Sequence, residues 1–154
     1  MRNDAMQRLD VLVGSWRTTL RNAWFLEPAD LEVPGTATIE WLGDAFVVVR
    51  WTMTGDVGKA TSEMVLVLGR SDTRDAYTAL YHDERGVCRV YDMTFDGAGW
   101  TLNREDTDMY QRFVADVGDE RIAGRWEASD DQGTTWRKDF DLVFDREPGE
   151  GPTP

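Results

Sequence analysis

Alternation of apolar and polar residues runs through almost the whole chain, and it constrains the fold more than any other feature. The pattern is clearest near the C-terminus, where one face of an extended segment carries Trp136, Lys138, Phe140, Leu142 and Phe144. A two-residue period is typical of a β-strand with one face on a core and the other in water. Lys138 is the one charged residue on this apolar face.

Ten segments follow the same period and are separated by short turns rich in Gly and Asp. The predicted strands are 15–24, 35–42, 46–53, 63–70, 76–82, 87–95, 100–105, 110–117, 121–129 and 136–145. Short connections join antiparallel neighbours, and a meander of this length either closes on itself or exposes long edges. The sequence therefore predicts an all-β fold, a closed antiparallel meander barrel of about ten strands.

The N-terminal residues depart from this pattern. Met6, Leu9, Val11 and Leu12 have roughly helical spacing, and Asn3 or Asp4 is available as an N-cap. We expect one short helix over residues 3–12, acting as a lid or a plug. The chain is predicted to form a single domain over residues 1–146, followed by a disordered Pro/Gly-rich tail at 147–154.

Composition excludes several classes of function. The formal charge is 17 − 29 = −12, with no run of Lys and Arg, so nucleic acid is not an expected partner. A single cysteine, Cys88, rules out an internal disulfide and multi-cysteine metal sites, and we expect no metal. No apolar run has the length of a signal peptide or a membrane span, so we expect a cytoplasmic protein.

Several motifs together resemble a known family. The motif Leu12-Val13-Gly14-Ser15-Trp16 resembles the Gly-x-Trp entry strand of the lipocalin and fatty-acid-binding (calycin) barrels. Segments 81–91, 111–113, 124–127 and 139–142 resemble a bacterial family of uncharacterised calycin-like proteins. The resemblance implies a closed antiparallel barrel with a short N-terminal helix, and it implies no particular activity.

A more distant resemblance concerns haem. Nitrobindin-like barrels are similar in architecture and hold iron through a histidine on a late strand. Here the late strands contain no histidine, since the only one, His82, lies on a middle strand. This departure from the nitrobindin pattern argues against haem, which stays a disfavoured alternative, and we expect no cofactor.

Two cations are candidate anchors for an anionic ligand. Lys138 faces the predicted interior, where an ammonium group must pair, lose its proton or bind an anion. It is an anion anchor or, alternatively, a residue that snorkels to water or pairs with a carboxylate. Arg112 shares a face with Tyr110 and Val114. The calycin resemblance implies that Arg112 stacks on Trp16, and anion recognition is the alternative.

Hairpin pairing supplies further candidates. Pairing His82 with Val87 places Tyr77, Tyr81 and Asp92 on one face. If this face points inward, they either offer two phenols and a carboxylate to a ligand or simply form part of the barrel wall. Pairing Trp41 with Phe46 leaves Arg50 as either a pocket cation or a surface residue. The predicted ligand-binding residues are Lys138, Arg112, Tyr77, Tyr81, Asp92, Trp126, Trp136 and Phe140.

One connection, residues 22–34, is too long for a hairpin turn. It carries Trp24, Phe25 and Leu26, which are predicted either to fold over the barrel mouth or to pack against the wall.

Three functional hypotheses follow. The first is a barrel that binds a small, largely apolar molecule with an anionic or polar end. The second is an isomerase or cyclase in the same cavity, using Asp92 with Tyr81 or Tyr77 for proton transfer. The third is a barrel filled with side chains that acts through its surface or as a homodimer, with Trp24, Phe25 and Leu26 as the interface. The sequence names no catalytic residue.

Overall fold

The computed structural model describes residues 1–28, 30–55 and 61–148. A short helix, α1 (Asp4–Gln7), continues into a 3₁₀ helix (Arg8–Leu12). The strands are β1 (Gly14–Arg21), β2 (Val33–Leu42), β3 (Phe46–Met53), β4 (Glu63–Arg70), β5 (Tyr77–Asp83), β6 (Cys88–Phe95), β7 (Gly99–Glu105), β8 (Tyr110–Val117), β9 (Arg121–Ser129) and β10 (Arg137–Arg146). Most of the predicted turn between strands 46–53 and 63–70, and most of the predicted tail at 147–154, lie outside the described residues. Within them, no helix has the length and apolar character that a membrane crossing needs.

The strands form a closed antiparallel barrel in which each strand pairs with its neighbours in sequence. Closure is made by β1 and β10, which pair Trp16 with Arg146 and Leu20 with Leu142. Every strand thus has a neighbour on both sides, which removes the exposed edges of an open meander. The predicted all-β meander barrel with a short N-terminal helix is confirmed.

The N-terminal helical segment plugs one end of the barrel, hereafter the closed end. Met6, Leu9 and Leu12 are at most 1% exposed and pack into the core. Asn3 is the N-cap, because its side chain accepts a 2.9 Å hydrogen bond from the Ala5 backbone N–H. The opposite end, where β1, β3, β5, β7 and β9 end, is hereafter the mouth.

An arginine from the last strand completes the closed end. The Arg146 guanidinium carbon lies 4.1 Å from the centre of the Trp16 ring. Its two terminal nitrogens donate to the backbone carbonyls of Val13 at 2.8 Å and Val11 at 2.6 Å. Gly14 leaves room for this contact, because a Cβ there would lie 2.4 Å from an Arg146 nitrogen. Gly14 and Trp16 of the entry strand thus form the surface on which the Arg146 side chain packs.

Large side chains fill the closed-end half of the barrel. Its buried inward residues include Ile39, Val47, Leu68, Met93, Trp100, Leu102, Phe113, Ile122 and Phe144. Where a large ring needs room, the facing residue is small, as at Gly124, which lies against the Phe113 ring. This half is a solid core, and open space begins only nearer the mouth.

Candidate functional site

A cavity of about 300 Å³ occupies the mouth half of the barrel. Its aromatic lining consists of Trp24, Phe25, Trp51, Tyr81, Tyr91, Trp126 and Phe140. Its polar and charged lining includes Arg85, Arg89, Gln111, Arg137 and Asp139. Below it, a void of about 30 Å³ lies among Trp51, Trp126 and Phe113. The barrel is therefore hollow near the mouth and filled at the closed end. The third hypothesis, in which side chains fill the whole barrel, is wrong on this point.

Three rings form one wall of the cavity. Phe140 lies between Trp51 and Trp126, with ring centres 6.3 Å and 6.4 Å away. The three planes are tilted by only 32° and 36°, so they present broad faces in one direction. Such a wall offers a large apolar and polarisable contact surface to a flat ligand.

A buried carboxylate beside the cavity is held by two neighbours. The Tyr81 hydroxyl donates to Asp83 at 2.8 Å, and an Arg85 terminal nitrogen donates to it at 2.6 Å. The Asp83 side chain has no exposed surface. The hydrogen bond from Arg85 holds the pKa of the Asp83 carboxyl well below its usual range, and that from Tyr81 acts in the same direction. Burial, together with Asp83, raises the pKa of Tyr81.

We expect Asp83 to make protein stability sensitive to acid. Because its folded-state pKa is depressed, its stabilising contribution is present above the ordinary carboxyl pKa and is lost as pH falls toward the folded-state value. Asp83→Asn should lower the unfolding free energy by about 1–3 kcal/mol at pH 7, and this difference should shrink at pH 3. Urea denaturation at both pH values tests this, with the exposed Asp92→Asn as control. A difference of equal size at both pH values contradicts it.

A second polar pair lies deeper in the cavity. The Tyr91 hydroxyl donates to the Gln111 side-chain oxygen, and both residues are buried. Burial raises the pKa of Tyr91, while the nearby Arg89 pulls it in the opposite direction. Arg89 faces inward opposite Tyr81, with its guanidinium carbon 5.6 Å from the Tyr81 ring centre.

The long connection after β1 covers one side of the mouth. The Trp24 indole nitrogen donates to the Asp139 carboxylate at 2.8 Å, although Trp24 is 64% exposed. Phe25 packs edge-on against Phe140 with ring centres 6.0 Å apart, and Leu26 is buried. The segment thus combines both predicted arrangements, because it packs on the wall and also lines the cavity.

The predicted inward orientation of Lys138 is wrong. A β-bulge between Lys138 and Phe140 shifts the β9–β10 register, so that Lys138 pairs with Glu127 while Phe140 pairs with the inward Trp126. Lys138 therefore lies on the outer face, where its ammonium binds Asp141 at 3.1 Å. The two-residue period assumed an uninterrupted strand. The extra residue in the bulge reverses the orientation of the β10 residues that precede it, relative to that prediction.

Arg112 and Trp136 also lie outside the barrel, contrary to prediction. The Arg112 guanidinium carbon is 3.9 Å from the Trp136 ring centre, and its Nε bonds Glu127 at 3.2 Å. The buried, inward residues of β8 are instead Gln111, Phe113 and Ala115. The stacking partner of Trp16 is Arg146, not Arg112, as the contacts at the closed end show.

A one-residue difference in register moves Asp92 to the outer face. His82 pairs with Cys88 rather than with Val87, so Asp92 pairs with Thr78. The Asp92 side chain is 74% exposed and lies 3.5 Å from Arg74. The prediction that Asp92 faces the cavity with Tyr77 and Tyr81 is therefore wrong, and the proposed proton-transfer pair is not assembled.

The remaining predicted site residues face inward. Tyr81, Trp126 and Phe140 line the cavity. Tyr77 is buried at the closed end, where its hydroxyl donates to the Ala5 carbonyl at 2.6 Å. Arg50 lies on the surface, paired with Glu40 at 2.7 Å, because Trp41 pairs with Val47 rather than with Phe46.

The cavity residues that the sequence did not predict include Trp51, Arg85, Arg89, Tyr91, Gln111, Arg137 and Asp139. A signal existed for Arg89, because it alternates with Tyr91, Met93 and Phe95 on the more apolar face of β6. His82 is exposed and lies outside the cavity. Over the described ranges, no three or more His, Cys, Asp or Glu side chains are grouped to hold a metal ion.

Comparisons with known proteins identify the fold alone. No protein-family model matches the chain, and no curated protein matches it. The crystal structure of Rv2717c from M. tuberculosis is similar, with a TM-score of 0.65 and 13% identity over 96% of this chain and 99% of that chain. A de novo designed fluorescence-activating β-barrel matches with a TM-score of 0.45 and 14% identity, over 94% and 99% of the two chains.

Proposed function

We propose that the protein binds a small, largely apolar molecule with an anionic or polar end in the mouth-side cavity. The observation that carries this proposal is the contrast between the two halves of one barrel. The closed-end half is packed with side chains, whereas the mouth half keeps a cavity of about 300 Å³ walled by aromatic rings. Apolar cavities with a few convergent polar groups are the usual form of a small-molecule site.

The lining defines the shape and chemistry of the ligand. A volume of about 300 Å³ lies at the small end of the range for ligand pockets, so the ligand is compact, with a few rings or a short branched chain. The wall of Trp51, Phe140 and Trp126 favours a flat apolar body. The charged residues lie toward the mouth, so the polar end of the ligand points outward.

The alternative of proton-transfer catalysis lacks a suitable base. Among the described residues, the carboxylates here are Asp83, beside the cavity, and Asp139, which lines it. Asp139 accepts a hydrogen bond from the Trp24 indole, and the hydrogen bond from Arg85 lowers the pKa of Asp83. A general base that works near neutral pH requires a shift in the opposite direction. Binding without chemistry is therefore the function that the geometry supports best.

A neutral fluorescent probe tests the proposal. N-phenyl-1-naphthylamine should bind with one-to-one stoichiometry, measured by fluorescence titration and calorimetry. Met64→Trp, on the inner face of β4, should fill the cavity and weaken binding by about tenfold or more. Val65→Trp, the next residue on the outer face, is the matched control and should leave the affinity within about twofold.

Two outcomes count against the proposal. One is the absence of saturable binding by the wild-type protein. The other is an equal loss of affinity in both tryptophan variants, which places the probe on the outer surface rather than in the cavity.

A further inference from the structure

We infer that the ligand carries a single negative charge, and that Arg89 holds it. This inference rests on the proposed function and specifies the class of ligand. The candidate class is a compact monoanionic amphiphile, such as an aromatic carboxylate or sulfonate.

Arg89 differs from the other arginines around the mouth because they already have carboxylate partners. Arg85 is paired with Asp83 at 2.6 Å. Arg137 is paired with Asp130. Arg104 reaches Asp108 at 3.1 Å. Among the described residues, no carboxylate lies within 4.0 Å of Arg89.

The surroundings of Arg89 leave its charge without compensation. It is only partly exposed, it lines the cavity, and the ring of Tyr81 covers one side of it. Removing a cation from water without a counter-charge is unfavourable. A bound anion supplies that counter-charge, and a planar guanidinium can donate two parallel hydrogen bonds to a carboxylate or sulfonate.

The neighbouring polar groups favour an acceptor-rich ligand end. The hydroxyl protons of Tyr81 and Tyr91 are already donated to Asp83 and Gln111. Because the Gln111 oxygen accepts from Tyr91, its amide nitrogen keeps two donor hydrogens, and none of the hydrogen bonds within the described ranges uses them. The hydrogens left to donate to a ligand here belong to Arg89 and Gln111, and they match the acceptor oxygens of an anion.

The number of available cations limits the ligand charge to one. Among the described residues that line the cavity, the other two arginines, Arg85 and Arg137, are already paired with carboxylates. The second charge of a phosphate monoester would therefore find no unpaired cation there, and it would lie near the carboxylates of Asp83 and Asp139. The protein as a whole carries a formal charge of −12, so its overall field repels anions. A preference for an anionic ligand must therefore come from the local site.

A pair of matched dyes tests this inference. 8-Anilinonaphthalene-1-sulfonate and N-phenyl-1-naphthylamine share one ring system and differ by the sulfonate. The wild-type protein should bind the sulfonate more tightly than the neutral dye. Arg89→Met should weaken sulfonate binding by roughly 10- to 100-fold, with the neutral dye nearly unaffected. Arg50→Met removes the same charge from the outer face and should change neither affinity.

The outcomes separate this inference from the proposed function. Equal wild-type affinity for both dyes overturns the inference and leaves the proposed function intact, and this comparison does not depend on any variant folding. A loss of sulfonate binding in Arg50→Met equal to that in Arg89→Met also overturns it. Failure of both dyes to bind overturns the proposed function itself. Arg89→Lys, which keeps the charge, should retain part of the preference for the sulfonate.

Discussion

Replacing Gly124 by alanine is expected to destabilise the barrel by about 3 kcal/mol, and so to lower its melting temperature by roughly 6–12 °C. A Cβ at this position would lie 2.3 Å and 2.5 Å from two carbons of the Phe113 ring. Phe113 is 2% exposed and packs against Trp100 and Trp126, with ring centres 5.2 Å and 5.1 Å away. These two tryptophans hold the ring in place, and the void of about 30 Å³ beside it is too small to accept a displaced ring.

Gly99→Ala is the matched control for this substitution. Gly99 also lies in a strand, but a Cβ there would meet nothing closer than the Asp96 carboxylate at 3.5 Å. Thermal and urea denaturation of the two variants should differ clearly, with Gly99→Ala near the wild type. If Gly124→Ala is as stable as Gly99→Ala, the closed-end half is not packed as tightly as described.

Arg146→Met is expected to cost a similar amount, about 3 kcal/mol, because it removes several contacts that close the barrel. The Arg146 side chain donates to three backbone carbonyls, those of Val11, Val13 and Asp119, at 2.6–2.8 Å. It also covers the Trp16 ring. Methionine keeps the length of the side chain but leaves these carbonyls without their donor.

Arg121→Met provides the comparison for a surface arginine. Arg121 makes one ion pair, with Asp145 at 2.7 Å, and its side chain is 63% exposed. Its loss should cost less than about 1 kcal/mol. Denaturation curves that show equal destabilisation by the two methionine substitutions contradict the role given to Arg146.

The fold was predictable from the sequence because its evidence is local and repeated. Alternation and turn residues recur ten times, and four predicted strands, 46–53, 63–70, 110–117 and 121–129, match the observed bounds. The other six strands differ from the prediction by at most three residues at either end, where a turn begins or the backbone leaves the sheet. The N-terminal segment was predicted as one helix because its apolar spacing does not distinguish an α-helix from a 3₁₀ continuation.

The site was less predictable because it depends on which face of each strand points inward. One bulged residue on β10 turned Lys138 outward, and a one-residue register difference did the same to Asp92. Alternation shows that each strand has two distinct faces. It does not show which face of β6 or β10 points inward, because both faces of these strands carry apolar and charged residues. Arg85 and Asp83 pair with each other at the turn after β5, and alternation does not specify the geometry of that turn.

The most direct test of the binding proposal is a crystal structure of the protein grown with N-phenyl-1-naphthylamine. We expect the ring system to lie in the mouth-side cavity against Trp51, Phe140 and Trp126, with the closed-end half unchanged. An empty cavity, with the dye bound instead to exposed apolar residues such as Leu80 and Val90 on the outer face, would contradict it.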